Sequence, residues 1–364
     1  MKAMLVVTSL MGAGHLQRTL IIARALAESG VEPLVVTGGR EISHLDTAGV
    51  RLLQLPAVWS DGIDYSGMLT PEGEADQAYL DGRAARLIEV FDDFRPDALI
   101  TELFPFGRRS LRTEFEALLD HAKGRARIYA SVRDVLEPKR KLKRASETAG
   151  WLKRWYDDVL VHGDPDVIEL SATWPLADQF DVMIHYTGYV AAPAPAPDGP
   201  PEVLVSVGGG VIGRALLSMS IEAAREGERT WRLRVGGADA AEQVERLMDQ
   251  AKDAPVIIEP AAPDYRARLG ACACSVSLFG YNTATDLMAA GRPAVIAPMA
   301  EGDEKEQMIR ADAFSGLPGF TILDPDTSAD ELAAAVDNSV EGPSPSGFNL
   351  GGAAETARLI AESV

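Results

Sequence analysis

The chain has 364 residues, 46% hydrophobic and 24% charged, with a formal net charge of −19. These are globular proportions, and the length suits two domains of ordinary size. The charge excludes a general nucleic-acid binder, which needs a Lys/Arg surface for phosphates, and a total of two cysteines, Cys272 and Cys274, excludes a disulfide framework.

In chain order, residues 4–9 form a short apolar run that reads as a buried first strand rather than a signal peptide. Residues 16–29 carry Leu, Ile and Ala at helical spacing and stop at Gly30. "PLVVT" (33–37) is a second strand, closed by Gly38 and Gly39, and a third follows at 50–55. "DALIT" (97–101), "ARIYASV" (126–132) and "DDVLVHG" (157–163) are further buried strands. At 191–201 the pattern breaks into "AAPAPAPDGPP", an extended, semi-rigid connector and the expected domain boundary. The second half repeats the grammar with strands at 202–210, 231–237, 254–260, 273–280, 293–298 and 320–323. Both cysteines fall in this apolar strand region and are expected to be buried. A last amphipathic segment, 353–364, follows a Gly-Gly break and is placed to brace the first domain. No apolar run reaches the roughly 18 residues of a membrane span.

Strands alternating with helices predict an α/β protein of two Rossmann-like, doubly wound parallel sheets, 1–190 and 202–350, facing a central cleft. Ligands of such sheets sit at the carboxyl ends of the strands. The loops after Leu10, Val207, Val235 and Phe279 therefore carry the chemistry.

The first of these loops is "MGAGH", 11–15, with Gly12, Gly14 and His15. It opens like a dinucleotide fingerprint, but Gln17 stands where a third glycine belongs, and the second strand ends in Gly38-Gly39 without the acidic residue that would grip a ribose. His15 lies in the first turn of a helix, whose dipole disfavours imidazolium. A neutral histidine there can serve as a general base or simply pack at the strand–helix corner. The second loop, "SVGGGVIGR" (206–214), lets backbone amides approach a phosphate through Gly208, Gly209 and Gly210. It reads as a diphosphate cradle, with a plain tight turn and a nicotinamide site as alternatives; Asp239 lies past the next turn rather than at the strand end, against nicotinamide.

The third loop is "GYNTATDLMAAGRPAVIAP", 280–298. Asn282, Thr283 and Thr285 can cap the helix and offer hydrogen bonds to an anion, and Asp286, one turn in, can accept from paired sugar hydroxyls. Ordinary capping accounts for the same residues. After the next strand comes "DEKEQMIRA" (303–311), where Glu306 and Gln307 adjoin the same crevice.

Taken with "GAGHLQRTLIIARAL" (12–26), "ELFPFGRRSL" (102–111), "SVRDVLEP" (131–138), "VLVHGDP" (159–165), "YTGYV" (186–190) and "VSVGGG" (205–210), these motifs resemble GT-B glycosyltransferases of the family-28, MurG-like type, and within it a bacterial branch of predicted glycosyltransferases. The resemblance covers nearly the whole chain. It implies His15 as the acceptor-side base, Gly208–Gly210 on the donor diphosphate, Asp286 on the donor ribose and Glu306-Gln307 on the donor sugar. The MurG type has Glu where Asp286 stands and Gln where Glu306 stands, so the reach to the ribose is shorter and the sugar contact differs.

The implied reaction is inverting transfer from a nucleotide diphosphate-sugar, UDP-sugar first, to a hydroxyl acceptor, lipid-linked or glycan, with no metal and no organic cofactor. A nucleotide-sugar hydrolase or epimerase is the alternative on the same fold; a non-catalytic nucleotide-sugar sensor and a nicotinamide oxidoreductase are more distant ones. "TELFPFGRR" (101–109) adds Glu102, Arg108 and Arg109 to the acceptor side. Residues 138–155 hold seven basic residues and one acid, with Trp151 and Trp155 four apart. That pattern suits peripheral contact with an anionic membrane or a lipid-phosphate acceptor, and equally a solvated face. A cytoplasmic location, including the inner face of the membrane, is the matching expectation.

Overall fold

The computed structural model describes residues 1–42, 45–60, 67–137, 142–174, 176–207, 213–237, 239–298 and 305–363. They divide into two units, Met1–Ala191 with Gly351–Val364, and Ala192–Leu350.

The first unit runs β1 (Lys2–Val7), α1 (Gly14–Glu28), β2 (Glu32–Thr37), β3 (Arg51–Gln54), a short hairpin of β4 (Leu69–Thr70) and β5 (Gly73–Glu74), α2 (Gln77–Phe94), β6 (Ala98–Glu102), α3 (Arg112–Ala122), β7 (Arg127–Arg133), α4 (Leu142–Trp155), β8 (Asp158–His162) and β9 (Met183–Tyr186). Among the described residues these make a seven-stranded sheet in the order β3-β2-β1-β6-β7-β8-β9, every pair parallel. The apolar runs are continuous because both faces are covered. Along β1, Met4 and Val6 enter one core, with Phe91 of α2 and Phe115 of α3. Ala3, Leu5 and Val7 enter the other, with Leu16 and Leu20 of α1. Asp76 caps α2 by accepting from Tyr79 N–H at 2.8 Å.

The basic segment forms α4 from residue 142; residues 138–141 lie outside those described. Trp151 and Trp155 do share a helical face, but that face is turned into the core, with only 9% and 4% of each residue exposed. Trp151 stacks on Phe104 with ring centres 5.4 Å apart, and Trp155 Nε1 donates to Asp120 at 2.7 Å. The expected aromatic anchors for a membrane are therefore core residues, and Lys153 and Arg154 pair with Asp181 and Asp120.

The second unit runs β10 (Val203–Ser206), α5 (Arg214–Ala224), β11 (Trp231–Val235), α6 (Ala240–Ala251), β12 (Val256–Pro260), α7 (Tyr265–Ala271), β13 (Cys274–Ser277), α8 (Tyr281–Ala290), β14 (Ala294–Ile296), α9 (Glu306–Phe314), β15 (Phe320–Ile322) and α10 (Ala329–Glu341). Its described strands form a parallel sheet of six in the order β12-β11-β10-β13-β14-β15. Val203, Leu233, Val276 and Val295 pack with Leu216 and Ile221 of α5 and Leu332 of α10. Cys272 and Cys274 are both buried, and burial raises both thiols to about 12. The Ala/Pro segment does not stand apart as a spacer. It lies on α7, where Asp198 N–H donates to Ala267 O at 3.1 Å.

The chain ends in α11 (Gly352–Glu362), which belongs to the first unit. Ala357 and Ile360 enter the core over α1. Gly352 N–H donates to Tyr189 O at 3.0 Å, and a Cβ at Gly352 would collide with Gly188 O, so the close approach requires glycine. Among the described residues no helix is long and apolar enough to cross a membrane.

Candidate functional site

In the first unit the turn after β1 leads into α1, and Gly12 takes the left-handed conformation (φ 63°) that this turn needs. Gly14 opens the helix, which places His15 in the first turn. Beside it β6 ends at Glu102, because β1 and β6 are neighbours in the sheet. His15 Nδ1 and Glu102 Oε1 are 2.6 Å apart, with the His15 side chain 14% exposed and that of Glu102 3%. Arg18, on the same face of α1, donates from Nη2 to the same oxygen at 2.5 Å. Burial opposes ionisation of Glu102, but His15, Arg18 and Arg108 together hold its carboxyl well below the usual carboxylate range. An ionised carboxylate only accepts, so His15 carries its proton on Nδ1 and offers Nε2 as a base. Burial, opposed by Glu102 and reinforced by Arg108 and Arg133, pushes the imidazole from 6.5 down to about 4. His15 is neutral at pH 7.

The loop after β6 is tightly held. Thr101 Oγ1 donates to Phe104 O at 2.9 Å, Tyr156 OH lies 2.7 Å from Thr101 Oγ1, and Leu103 N–H donates to Ser131 O at 2.9 Å. Arg108 follows in the left-handed region (φ 56°), within electrostatic reach of His15 and Glu102. Arg109 instead turns to α4, donating to Glu147 at 2.6 Å and Arg144 O at 2.7 Å.

A second histidine lies beneath. His162, at the end of β8, is fully buried, and burial pushes it down to about 3. Its Nδ1 meets Thr187 Oγ1 at 2.9 Å. Because Thr187 donates its own hydroxyl to Gly188 O at 3.0 Å, it accepts from His162 Nδ1–H. His162 Nε2 then accepts from Ser131 Oγ, 2.8 Å away.

In the second unit the glycine turn after β10, with Gly208, Gly209 and Gly210, lies outside the described residues. Its flanks are described. Gly213 has φ 116°, and a Cβ there would come within 2.5 Å of Val207 Cβ. Asp239 heads α6 and binds Arg214 Nη2 at 2.6 Å and Gln243 Nε2 at 2.6 Å. Tyr265 OH hydrogen-bonds Ser206 beside the same turn.

β13 is followed by Gly280, which caps α8 without a side-chain hydrogen bond. Asn282 and Thr283 sit half-buried in the first turn. Thr285 does not cap: its hydroxyl donates back to Asn282 O at 2.9 Å, and the residue is buried. Asp286 Oδ1 accepts from Arg266 Nε at 2.7 Å. Burial raises the Asp286 carboxyl and Arg266 opposes it. Glu306 and Gln307 open α9 and face the end of β13. Gln307 Oε1 accepts from Phe279 N–H at 2.9 Å. Glu306 Oε1 accepts from fully buried Arg310 at 2.8 Å, which also donates to Phe279 O at 2.8 Å. These oxygens, expected on a donor sugar, hold the strand end from which α8 starts.

The structure thus joins His15 to Glu102 in the first unit, and draws Glu306 and Gln307 to the α8 mouth in the second. Arg18, His162, Arg266 and Arg310 had no assigned role in the sequence, although Arg18, His162 and Arg310 lie inside quoted motifs. His15-x-x-Arg18 spacing was the one available signal. Among the described residues no group of three His, Cys, Asp or Glu could hold a metal ion.

Neither a protein-family model nor a curated protein matches this chain. Solved structures do. MurG of Acinetobacter baumannii is similar with a TM-score of 0.61 and 15% identity over 98% of this chain and 94% of that one. The glycosyltransferase VinC, in complex with dTDP, gives 0.61 and 16% over 100% and 94%. A UDP-glucosyltransferase from Polygonum tinctorium capable of glucosylating indoxyl gives 0.64 and 13% over 99% and 92%. At these identities the likeness is one of fold, and it extends through both units: the chain has the GT-B fold of these glycosyltransferases.

Proposed function

We propose that the protein transfers a sugar from a nucleotide diphosphate-sugar to an acceptor hydroxyl with inversion at the anomeric carbon. The observation that carries this reading is the His15–Glu102 pair at 2.6 Å, which leaves a neutral imidazole with Nε2 as its basic nitrogen on a fold shared with glycosyltransferases. His15 Nε2 takes the hydroxyl proton. The acceptor oxygen forms a bond to the anomeric carbon as the bond from that carbon to the diphosphate oxygen breaks. The electron pair leaves with the nucleoside diphosphate, and the proton leaves later from His15. Glu102 holds the imidazole's tautomer and orientation. Gly12 and Gly14 shape the turn that presents the base, and Arg108 adds positive charge on the acceptor side.

In the second unit, Asp286 accepts from the donor ribose. Arg266 occupies one carboxylate oxygen, and a carboxylate has a second. The amides of Gly208, Gly209 and Gly210 and the first turn of α8, with Asn282 and Thr283, stabilise charge on the leaving diphosphate without a metal. Uridine is the first nucleoside to try, as the resemblance implies. The acceptor is a lipid-linked or glycan hydroxyl, and peripheral membrane contact through the basic charges of 138–155, without Trp151 and Trp155, would bring the former within reach.

Thermal shift with UDP, GDP, CDP, dTDP, ADP and NAD(H) tests the donor half, followed by product analysis with the matching nucleotide-sugars. The expected result is a shift with one nucleoside diphosphate and a glycosylated product of inverted configuration. A shift with NAD(H) alone, or donor turnover that yields only free sugar at full rate, overturns it.

A further inference from the structure

His15 and Arg18 both hydrogen-bond one oxygen of Glu102, at 2.6 and 2.5 Å. This is more than a histidine–carboxylate pair. A buried carboxylate needs a counter-cation, and a buried charge left alone is strongly destabilising. Two candidates touch Glu102. The arginine cannot lose its proton, and with 2% of its side chain exposed it is fixed beside Glu102. We propose that Arg18 is a positioning residue: it serves as the permanent counter-cation of Glu102, so that His15 can keep its hydrogen bond to that carboxylate without taking up a proton.

The charges around His15 agree. On α1 there is Arg18, at the end of β6 Glu102, in the following loop Arg108, and at the end of β7 Arg133; on β8 His162 is neutral, with its Nε2 accepting from Ser131. Arg18 and Glu102 cancel. A proton added to His15 would then meet the opposing charges of Arg108 and Arg133, both of which lower its affinity. With Arg18 removed, Glu102 keeps the electrostatic pull of Arg108 but loses the cation bonded to it, 2.6 Å from the imidazole, and the proton is drawn to His15. The sharing of one carboxylate between a histidine and an arginine thus adds to burial in setting the pH above which the base works. The consequence for catalysis rests on the proposed role of His15; the location of the proton does not.

Histidine-selective NMR titration of the full chain reads this directly, with His15→Gln to assign the resonance. In the wild type, His15 is expected as the Nδ1–H tautomer, with its midpoint well below 6.5. Arg18→Met is expected to raise its proton affinity about tenfold or more. Arg18→Gln, which keeps a donor to Glu102 but loses the charge, should do the same. Arg18→Lys, which keeps the charge, should restore most of the wild-type midpoint. A wild-type midpoint at or above 6.5 overturns the proposal even if the variants fail to fold, and so does an unchanged midpoint in a folded Arg18→Gln protein. The titration uses no donor or acceptor, so it separates the two claims. The expected midpoints without sugar transfer would sink the proposed function alone; transfer dependent on His15 with an unmoved midpoint would sink the role of Arg18 alone.

Discussion

Arg266 donates through Nε to Asp286 Oδ1 at 2.7 Å and through Nη2 to Ala192 O at 2.7 Å. One guanidinium therefore joins the first turns of α8 to the first residue of the second unit. Asp286 is thereby held in place before any ligand arrives, with 15% of its side chain exposed. Asp286→Ala is expected to weaken nucleoside diphosphate binding about tenfold or more, the loss of a charge-assisted hydrogen bond. Isothermal titration of wild type and variant measures it. Unchanged affinity would remove Asp286 from the donor site.

His15→Ala is expected to lower kcat by about 10²–10⁴ while leaving nucleoside diphosphate affinity within about twofold, since the base and the donor residues belong to different units. Single-turnover kinetics beside a binding isotherm separates the two effects. Loss of nucleotide binding in this variant would contradict the division of labour.

The pH dependence follows from a neutral buried base. His15 is pushed from 6.5 down to about 4, by burial first, and its depressed value means that the unfolded chain binds the proton more readily. The acid limb of kcat/KM is therefore expected near pH 4 rather than 6.5. Stability that is fully present above pH 6.5 should be lost as pH falls toward 4, and His162, at about 3, extends the same loss. Urea denaturation at pH 7, 6 and 5 should show falling midpoints; a flat series would place the imidazoles in water.

Gly352→Ala tests the return of the chain to the first unit. The new Cβ meets Gly188 O, and the Gly352–Tyr189 hydrogen bond lies at the same contact. A loss of about 2 kcal/mol or more is expected, read by chemical denaturation, with nucleotide affinity unaltered.

The alternation of β and α was plain in the sequence because strands such as Ala98–Glu102 and Val203–Ser206 open on unbroken apolar runs, Ala-Leu-Ile and Val-Leu-Val, and are bounded by turn residues. β9 was not: "MIHY" is four residues at a sheet edge with no fully buried member. Spacing placed Trp151 and Trp155 on one helical face but could not say that the face meets Phe104 and Asp120. Local chemistry marked His15, Glu102 and Asp286. Their partners depend on tertiary contacts: His15 and Glu102 are 87 positions apart, and Arg266 and Asp286 are 20 apart. Thr285 and Gln307 have polar atoms directed inward to backbone, which composition does not distinguish from atoms directed at a ligand.

The order of synthesis acquires a meaning from the path of α11. Residues Ala192–Leu350 form one uninterrupted unit, whereas the first unit needs both Met1–Ala191 and Gly351–Val364. On a ribosome the first unit emerges first yet is completed last, since Ala357 and Ile360 close the core over α1. The apolar residues Leu16 and Leu20 must wait, partly uncovered, while the whole of the second unit is made. A nascent chain halted after residue 350 would therefore carry a complete second unit and an aggregation-prone first one.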